Sequence, residues 1–261
     1  MYTSLKETTE LIKYKELLKN LISRDIRKRY KRSVLGFLWV MLDPLLMMLV
    51  FYFIFAGLFG RTVNNYSAYV ISGITMWQLF AQGTKVSSKA FINNRSLLSK
   101  IYMPKSIFPI SVVASSLVHF IFSLVPLFVI TLISGASISY NIFLIPVVVL
   151  LLFLFSLGIS LTLSTLAVFF HDIVYIYDVT IMAWMYLSAI FYPVSILPVK
   201  FQFLLSFNPV YHYITLFRAC LYDSTIPLTV HFIYGITFAL LSFLTGWIIY
   251  EKNKDRIIFF L

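Results

Sequence analysis

The sequence predicts an all-α polytopic membrane protein with six transmembrane helices. Hydrophobic residues make up 60% of its 261 residues, and the mean hydropathy is +0.90, whereas a soluble domain contains roughly 45 to 50% apolar residues. A strongly basic segment, residues 24–32, is followed closely by an apolar one, residues 34–60. As a helix, that apolar segment is longer than the roughly 30 Å hydrocarbon core of a bilayer. Composition and segment length therefore exclude a soluble domain.

The segment before the first span, residues 1–32, predicts an amphipathic helix in the cytoplasmic membrane interface. Its apolar residues recur at helical spacing and form one stripe: Leu11, Tyr14, Leu18, Leu21 and Ile22. In residues 24–32, Lys and Arg outnumber the one acid, Asp25. A segment with such an excess of basic residues beside a span stays in the cytoplasm. We therefore expect the amino terminus inside. The basic residues either fix the topology only or also bind an anionic substrate.

Apolar segments recur along the chain and are joined by short turns. The predicted spans are residues 34–60, 66–91, 107–133, 142–170, 174–191 and 228–250. An even number of spans places both termini in the cytoplasm, and the basic tail, residues 251–261, agrees with this. In the fourth span, Gly158 and several hydroxyl residues indicate close contact with another helix.

The inner half of the second span is unusually polar for a membrane helix. Gln78, Gln82, Lys85 and Lys89 need partners that lipid does not offer, so we expect them to face protein or water. Lys85 and Lys89 are four residues apart and share a helix face, where like charges repel. They either snorkel to the headgroups or bind an anionic diphosphate. Asp178, about one turn inside the fifth span, is also costly unless it is paired.

The loop after the second span, residues 93–106, combines basic residues with an apolar helical turn that ends before Pro104. Its candidate partner-binding residues are Arg95, Leu97, Leu98, Lys100, Ile101 and Tyr102. Apolar side chains on a loop that should face water predict a docking surface. A plain interfacial loop is the alternative.

The segment before the last span, residues 192–224, is neither a span nor a free loop. Its apolar pieces of about ten residues are broken by Pro193, Pro198 and Pro209, and such pieces are too short to cross a bilayer. They are also too apolar for a loop in water. The pattern predicts a re-entrant external hairpin of two short helices.

Several other classes of function are not supported by the sequence. The net charge is +11, but only 12% of residues are charged and the basic ones border the predicted spans, which indicates lipid headgroups rather than nucleic acid. The single cysteine and four scattered histidines predict no metal site and no cofactor. No Gly-Lys pair exists for a P-loop, so ATP would be hydrolysed by another chain. A membrane enzyme such as a glycosyltransferase would need paired carboxylates, and Asp172 and Asp178 point in different directions on a helix.

The basic-to-apolar transition resembles a signature of the membrane subunits of polysaccharide ABC exporters. The shared pieces are RD at 24–25, RYKRSVLG at 29–36, LW at 38–39 and DP at 43–44. The loop 93–106 is similar to the coupling helix of these permeases, and FYP at 191–193, LP at 197–198, NP at 208–209 and FR at 217–218 are similar to their external re-entrant helices. At positions 171–172 the sequence has His-Asp where the family usually has Arg-Asp, so this turn departs from the family pattern in its charge.

The resemblance implies a permease subunit, not an enzyme, that works as a homodimer with two ATPase chains, which would bind ATP and Mg²⁺. The implied substrate is an undecaprenyl-pyrophosphate-linked polysaccharide exported across the inner membrane, with O-antigen as the first candidate and teichoic acid or capsule as alternatives. An ABC exporter of drugs or small hydrophobic compounds has the same architecture and is a second alternative.

The resemblance also groups the candidate site residues by role. The candidates for the substrate entrance are Arg27, Arg29, Arg32, Lys85 and Lys89. The candidates for coupling to the ATPase are the six residues of the 93–106 loop named above, with His171 and Asp172. Aromatic rings stack on the CH faces of sugars, and the candidates for a glycan conduit are Trp39, Tyr52, Trp77, Phe80, Tyr177 and Trp184. Membrane proteins are also rich in such residues for anchoring.

Overall fold

A computed structural model describes residues 13–31, 33–60, 62–100, 103–223 and 228–261, and these residues are mainly helical with no β-strand among them. The all-α prediction is therefore confirmed. The helices are α1 (Lys15–Tyr30), α2 (Trp39–Phe59), α3 (Tyr66–Ser87), α4 (Ala90–Asn93), α5 (Arg95–Leu98), α6 (Ile107–Ile133), α7 (Ile145–Phe169), α8 (Asp172–Tyr186), α9 (Val199–Leu205), α10 (Pro209–Leu221), α11 (Leu228–Asn253) and α12 (Ile257–Phe260). Residues 1–12 of the predicted interfacial helix lie outside the described part.

Four helical stretches are long and apolar enough to cross a membrane: Gly36–Phe59, Ile107–Ile133, Tyr140–Phe169 and Thr229–Asn253. The first and third include short 3₁₀ turns that lead into α2 and α7. All four coincide with predicted spans. The other two predicted spans correspond to α3, whose inner half is polar, and to α8, which has 15 residues.

Helix α3 lies at the centre of the bundle. Of its 22 residues, 15 are buried, and it packs against α2, α6, α7 and α10. Because the other helices surround it, its polar side chains have protein neighbours that lipid could not provide. This agrees with the expectation that the second predicted span is sheltered.

Helices α7 and α11 cross in backbone contact. A Cβ atom added at Gly158 would lie 2.2 Å from the backbone of Ser242, and one added at Gly246 would lie 2.2 Å from the Gly158 carbonyl oxygen. The Ser242 hydroxyl also donates a hydrogen bond to the Phe155 carbonyl across the crossing. The predicted close contact at Gly158 is therefore confirmed, and only small residues permit it.

A hydrophobic cluster joins both ends of the described chain at one end of the bundle, and we call it the end cluster. Its members include Leu21 of α1, Phe91 of α4, Leu98 of α5, Tyr250 of α11 and Ile257 of α12. Helix α1 and helix α12 therefore lie at the same end of the bundle. This arrangement is compatible with the prediction that both termini are on one side of the membrane.

The segment 192–224 contains the short helices α9 and α10, which are separated at Asn208. The Asn208 side chain accepts hydrogen bonds from the backbone amides of Val210 and Tyr211 and caps α10. It also accepts from the Trp184 indole and donates to the Leu187 carbonyl, so it ties α10 to the end of α8. Eleven of the 13 residues of α10 are buried.

The end of the fifth predicted span was placed too late in the chain. The prediction ran to residue 191, but α8 ends at Tyr186 and a turn follows. Ala189 in this turn has a positive φ of 49°, which a helix does not allow. The carbonyls of Ala189 and Ile190 bond instead to the Arg218 guanidinium. A contact with a residue far along the chain thus ends this helix.

Candidate functional site

The polar residues of α3 line a cleft between α2, α3 and α6. A cavity of about 290 Å³ is bordered by Trp39 and Asp43 of α2, Gln78 and Gln82 of α3, and His119 of α6. A second cavity of about 440 Å³ adjoins it, because both are lined by Gln82, Ser116 and His119. We call the two cavities together the polar cleft.

The second cavity reaches the basic helix α1. Arg24 and Lys28 of α1 line it together with Asn93 and Asn94. Arg24 donates to the Asn94 side-chain oxygen over 3.0 Å and forms an ion pair of 2.9 Å with Asp25. The polar cleft therefore extends from the α1 end of the bundle to Asp43 in the first predicted span.

Asp43 and Gln78 meet at the far part of the polar cleft. The Gln78 amide donates to the Asp43 carboxylate over 2.9 Å, and Asp43 is exposed in the single chain. A carboxylate at this depth is costly when it faces lipid. Its position therefore indicates a surface that contacts water or polar groups. Sequence reasoning did not assign Asp43 or Gln78 to a site, although each stands out as polar in an apolar segment.

Lys85 and Asp178 form an ion pair of 3.1 Å between α3 and α8, with side chains 55% and 37% exposed. The expectation that Asp178 needs a partner is confirmed. The pairing also supplies a reason for Lys85 in this position, because the two charges compensate each other. Lys89, the second lysine of the predicted pair, is exposed.

The remaining predicted entrance residues lie on or near α1. Arg27 is exposed and borders an open hollow with Arg24, Lys28 and Lys31. Arg32 lies outside the described residues, and so does the side chain of Arg29. Since Arg24 and Lys28 also line the polar cleft, Arg27 stands beside its α1 end.

The predicted coupling residues divide into exposed and buried ones. Arg95, Lys100, His171 and Asp172 are exposed, and Leu97 is half-buried against the end cluster. Leu98 is 5% exposed and belongs to the end cluster itself, so its side chain faces the protein interior rather than a partner. Ile101 and Tyr102 lie outside the described residues.

The six aromatic candidates for a glycan conduit do not share one surface of the chain. Trp39 and Tyr52 are exposed on α2, whereas Trp77 and Phe80 are buried in the core. Tyr177 is buried and its hydroxyl donates to Thr84 over 2.6 Å. Trp184 is half-buried and, as described above, bonds to Asn208.

Arg218 is a buried residue to which sequence reasoning gave no role. It is 4% exposed, and its guanidinium donates to the carbonyls of Tyr69, Ala189 and Ile190 and to the Ser72 hydroxyl. It also lies 3.5 Å from the centre of the Tyr69 ring. The residue fixes the turn after α8 against α3. A lone arginine in an apolar segment was the available signal.

The described residues contain no group of three or more His, Cys, Asp or Glu side chains that could hold a metal ion. The site is therefore characterised by carboxylate, amide, hydroxyl and basic groups along the polar cleft and the ion pair beside it.

The apolar helices define a multi-pass membrane protein. A polar cleft between such helices is typical of membrane transport proteins. The ABC-2 type transporter family model matches residues 16–222, and the chain belongs to this family.

The chain is similar to permeases that export surface polysaccharides. It is 30% identical to the O-antigen export system permease protein RfbA of Klebsiella pneumoniae, over 92% of this chain and 93% of that protein. The identity to RfbA of Myxococcus xanthus is also 30%, over 84% and 85% of the two chains. The polysialic acid transport protein KpsM of Escherichia coli is 24% identical over 91% and 93%.

Proposed function

We propose that the chain is the permease subunit of an ABC exporter that moves a lipid-linked polysaccharide across the inner membrane, with O-antigen as the first candidate. The observation that carries the proposal is the 30% identity to an O-antigen export permease along 92% of the chain. The identity to the polysialic acid protein is lower, at 24%, which favours O-antigen over capsule.

The proposed topology has six spans, with α3 as the second and α8 as the fifth. Helix α8 spans about 22 Å at 1.5 Å per residue, and we assign the turn after it to the outer face. Segment 192–224 is proposed to enter from outside without crossing. The common location of α1 and α12 supports two cytoplasmic termini, because an even number of spans returns the chain to its starting side.

The exposed surface of α2 and α8 supports a homodimer. Large apolar side chains such as Phe53 of α2 and Val179 of α8 are exposed there, and the charged Asp43, Lys85 and Asp178 stand on the same two helices or beside them. Exposing these charges to lipid would cost free energy. We therefore propose that this surface faces a second copy of the chain and an aqueous path instead of lipid. Two ATPase chains would bind ATP and Mg²⁺.

The polar cleft supplies groups that suit a glycan. Asp43, Gln78 and Gln82 offer hydrogen-bond acceptors and amide donors for sugar hydroxyls, and Trp39 offers a ring for the CH face of a sugar. The pyrophosphate is assigned to the α1 end, where Arg27 and Lys89 are exposed. Lys85 could contact it only by leaving Asp178.

Deletion of the gene in its own cell tests the function. We expect surface polysaccharide to be lost and lipid-linked glycan to accumulate on the cytoplasmic face, because synthesis continues without export. Surface labelling and gel analysis of the glycan measure both effects. A drug exporter would instead leave the surface glycan intact and would show ATPase stimulation by hydrophobic drugs, and this pair of results would refute the proposal.

Lys89→Gln is expected to lower export and substrate-stimulated ATPase activity while basal ATPase activity persists. The reason is that a cation that binds a diphosphate through charge-assisted hydrogen bonds is lost. Lys15→Gln removes an exposed lysine of α1 and serves as the control at matched expression. The double variant Lys85→Gln/Lys89→Gln should lower export further only if Lys85 also contacts the substrate. Equal export by Lys89→Gln and the control would leave Lys89 as a topology anchor.

The exposed and buried parts of the proposed coupling loop, residues 93–106, should respond differently to substitution. Arg95→Glu with Lys100→Glu is expected to preserve the fold and reduce co-purification with the ATPase, since both side chains are exposed. Leu98→Asp should instead lower thermal stability, because it places a carboxylate in the end cluster. Thermal unfolding and co-purification distinguish the two effects. Normal stability of Leu98→Asp would contradict the burial of this residue.

A further inference from the structure

The C-terminal part of the chain contacts the start of α6. The Tyr250 hydroxyl accepts a hydrogen bond of 3.1 Å from the backbone amide of Ser106, the residue directly before α6. The Ser106 side chain makes no capping bond, so Tyr250 provides an acceptor for an amide at this helix start. Beside it, the Lys105 ammonium donates to the Lys254 carbonyl. These contacts join the C-terminal part to the loop that follows α5.

The same C-terminal part also contacts the end of α7. The Phe260 ring meets the Phe169 ring edge-on, with centroids 4.9 Å apart and planes at 64°. Phe169 is the last residue of α7 and directly precedes the turn that contains His171. Between these two contacts, Ile257 is fully buried in the end cluster and anchors the connecting turn.

We propose that Tyr250, Lys254, Ile257 and Phe260 form a clamp that joins the two turns facing the ATPase, so that α6 and α7 move as one body when either turn is displaced. The inference rests on the proposed function, in which the loop after α5 and the turn before α8 both contact an ATPase. Its physical basis is that the buried Ile257 lies in the chain between Tyr250, which contacts the start of α6, and Phe260, which contacts the end of α7.

The variants separate the two ends of the clamp. Phe260→Ala removes the ring that touches α7, and Tyr250→Phe removes the hydroxyl that accepts at α6 while the ring stays in the end cluster. Phe259→Ala is the matched control, because Phe259 is the adjacent residue, has the same size and is 86% exposed. Phe260→Tyr keeps the ring contact and should behave like the unaltered chain.

Hydrogen exchange of the purified permease tests the clamp without any transport assay. Phe260→Ala should raise amide exchange at residues 103–107, and Tyr250→Phe should raise it at residues 169–172, because coupling between two sites is reciprocal. An increase of about two- to tenfold is expected, the factor that an aromatic pair or one hydrogen bond is worth. Exchange that rises only beside the substituted residue would overturn the clamp.

Transport by the complete complex with its ATPase gives the second readout. Phe260→Ala should keep assembly and basal ATP hydrolysis but export about two- to tenfold less glycan per ATP hydrolysed. Phe259→Ala and Phe260→Tyr should export the normal amount of glycan per ATP. A normal ratio in Phe260→Ala, or loss of assembly instead of coupling, would overturn the clamp. If the unaltered complex itself shows no glycan-stimulated hydrolysis, the proposed function fails, and the exchange result alone decides the clamp.

Discussion

Arg218→Ala is expected to prevent accumulation of the folded permease. The substitution leaves the Ile190 carbonyl without its donor. It also removes one donor each from the carbonyls of Tyr69 and Ala189, which keep the hydroxyls of Ser72 and Tyr69 as donors. A buried polar group left unpaired costs about 1 to 3 kcal/mol, and folded proteins are stable by only about 5 to 15 kcal/mol. The unpaired Ile190 carbonyl and the loss of the other three bonds that Arg218 donates therefore endanger the fold, and the turn after α8 should detach from α3.

Thermal unfolding in detergent and the yield of monodisperse protein measure this effect. Arg95→Ala, which removes an exposed arginine, is the control and should unfold at the normal temperature. Arg218→Lys should give an intermediate result, because an ammonium has three donors but lacks the planar fork that reaches several carbonyls at once. A normal unfolding temperature for Arg218→Ala would show that these carbonyls find other partners.

Gly158→Ala is expected to destabilise the permease strongly although it adds one methyl group. The new Cβ would lie 2.2 Å from the carbonyl carbon and oxygen of Ser242, and a backbone cannot rotate out of the way as a flexible side chain can. Overpacking typically costs about 1 to 3 kcal/mol and sometimes more. We expect the upper part of that range, because α7 and α11 must separate along their contact.

Gly57→Ala is the matched control, since a Cβ at Gly57 of α2 would meet nothing within 4 Å. It makes the same chemical change in a helix and should be neutral or slightly stabilising, as Ala is the better helix former. The difference in unfolding temperature between the two variants isolates the crossing of α7 and α11. Equal temperatures would mean that the crossing relaxes freely.

The apolar spans were predictable because length and hydropathy are local properties of the chain. Four of the six predicted spans are found as helices long and apolar enough to cross a membrane, and α6 has the predicted bounds. The early end of α8 was not predictable, since it depends on Arg218, which lies about 30 residues further along the chain. Local pattern reasoning has no access to such a contact.

The site was predictable in kind but not in its pairings. The sequence indicated that Asp178 needs a partner, but not that the partner is Lys85, 93 residues earlier. The predicted apolar turn of the loop 93–106 is helical at Leu97 and Leu98, but the burial of Leu98 depends on α1, α6 and α12 gathering at one end. An apolar stripe has the same appearance whether it faces a partner or its own protein.

The crossing of α7 and α11 also joins these two helices into a pair that we expect to move as one unit. Where two backbones touch at Gly158 and Gly246, neither helix can rotate or slide without collision, because close-packed interiors do not deform continuously. We therefore expect that other helices tilt relative to this pair during a transport cycle. Helix α8 is one candidate, because among the described residues it packs mainly against α3 and α7. The α7 and α11 pair would serve as the frame against which α8 tilts.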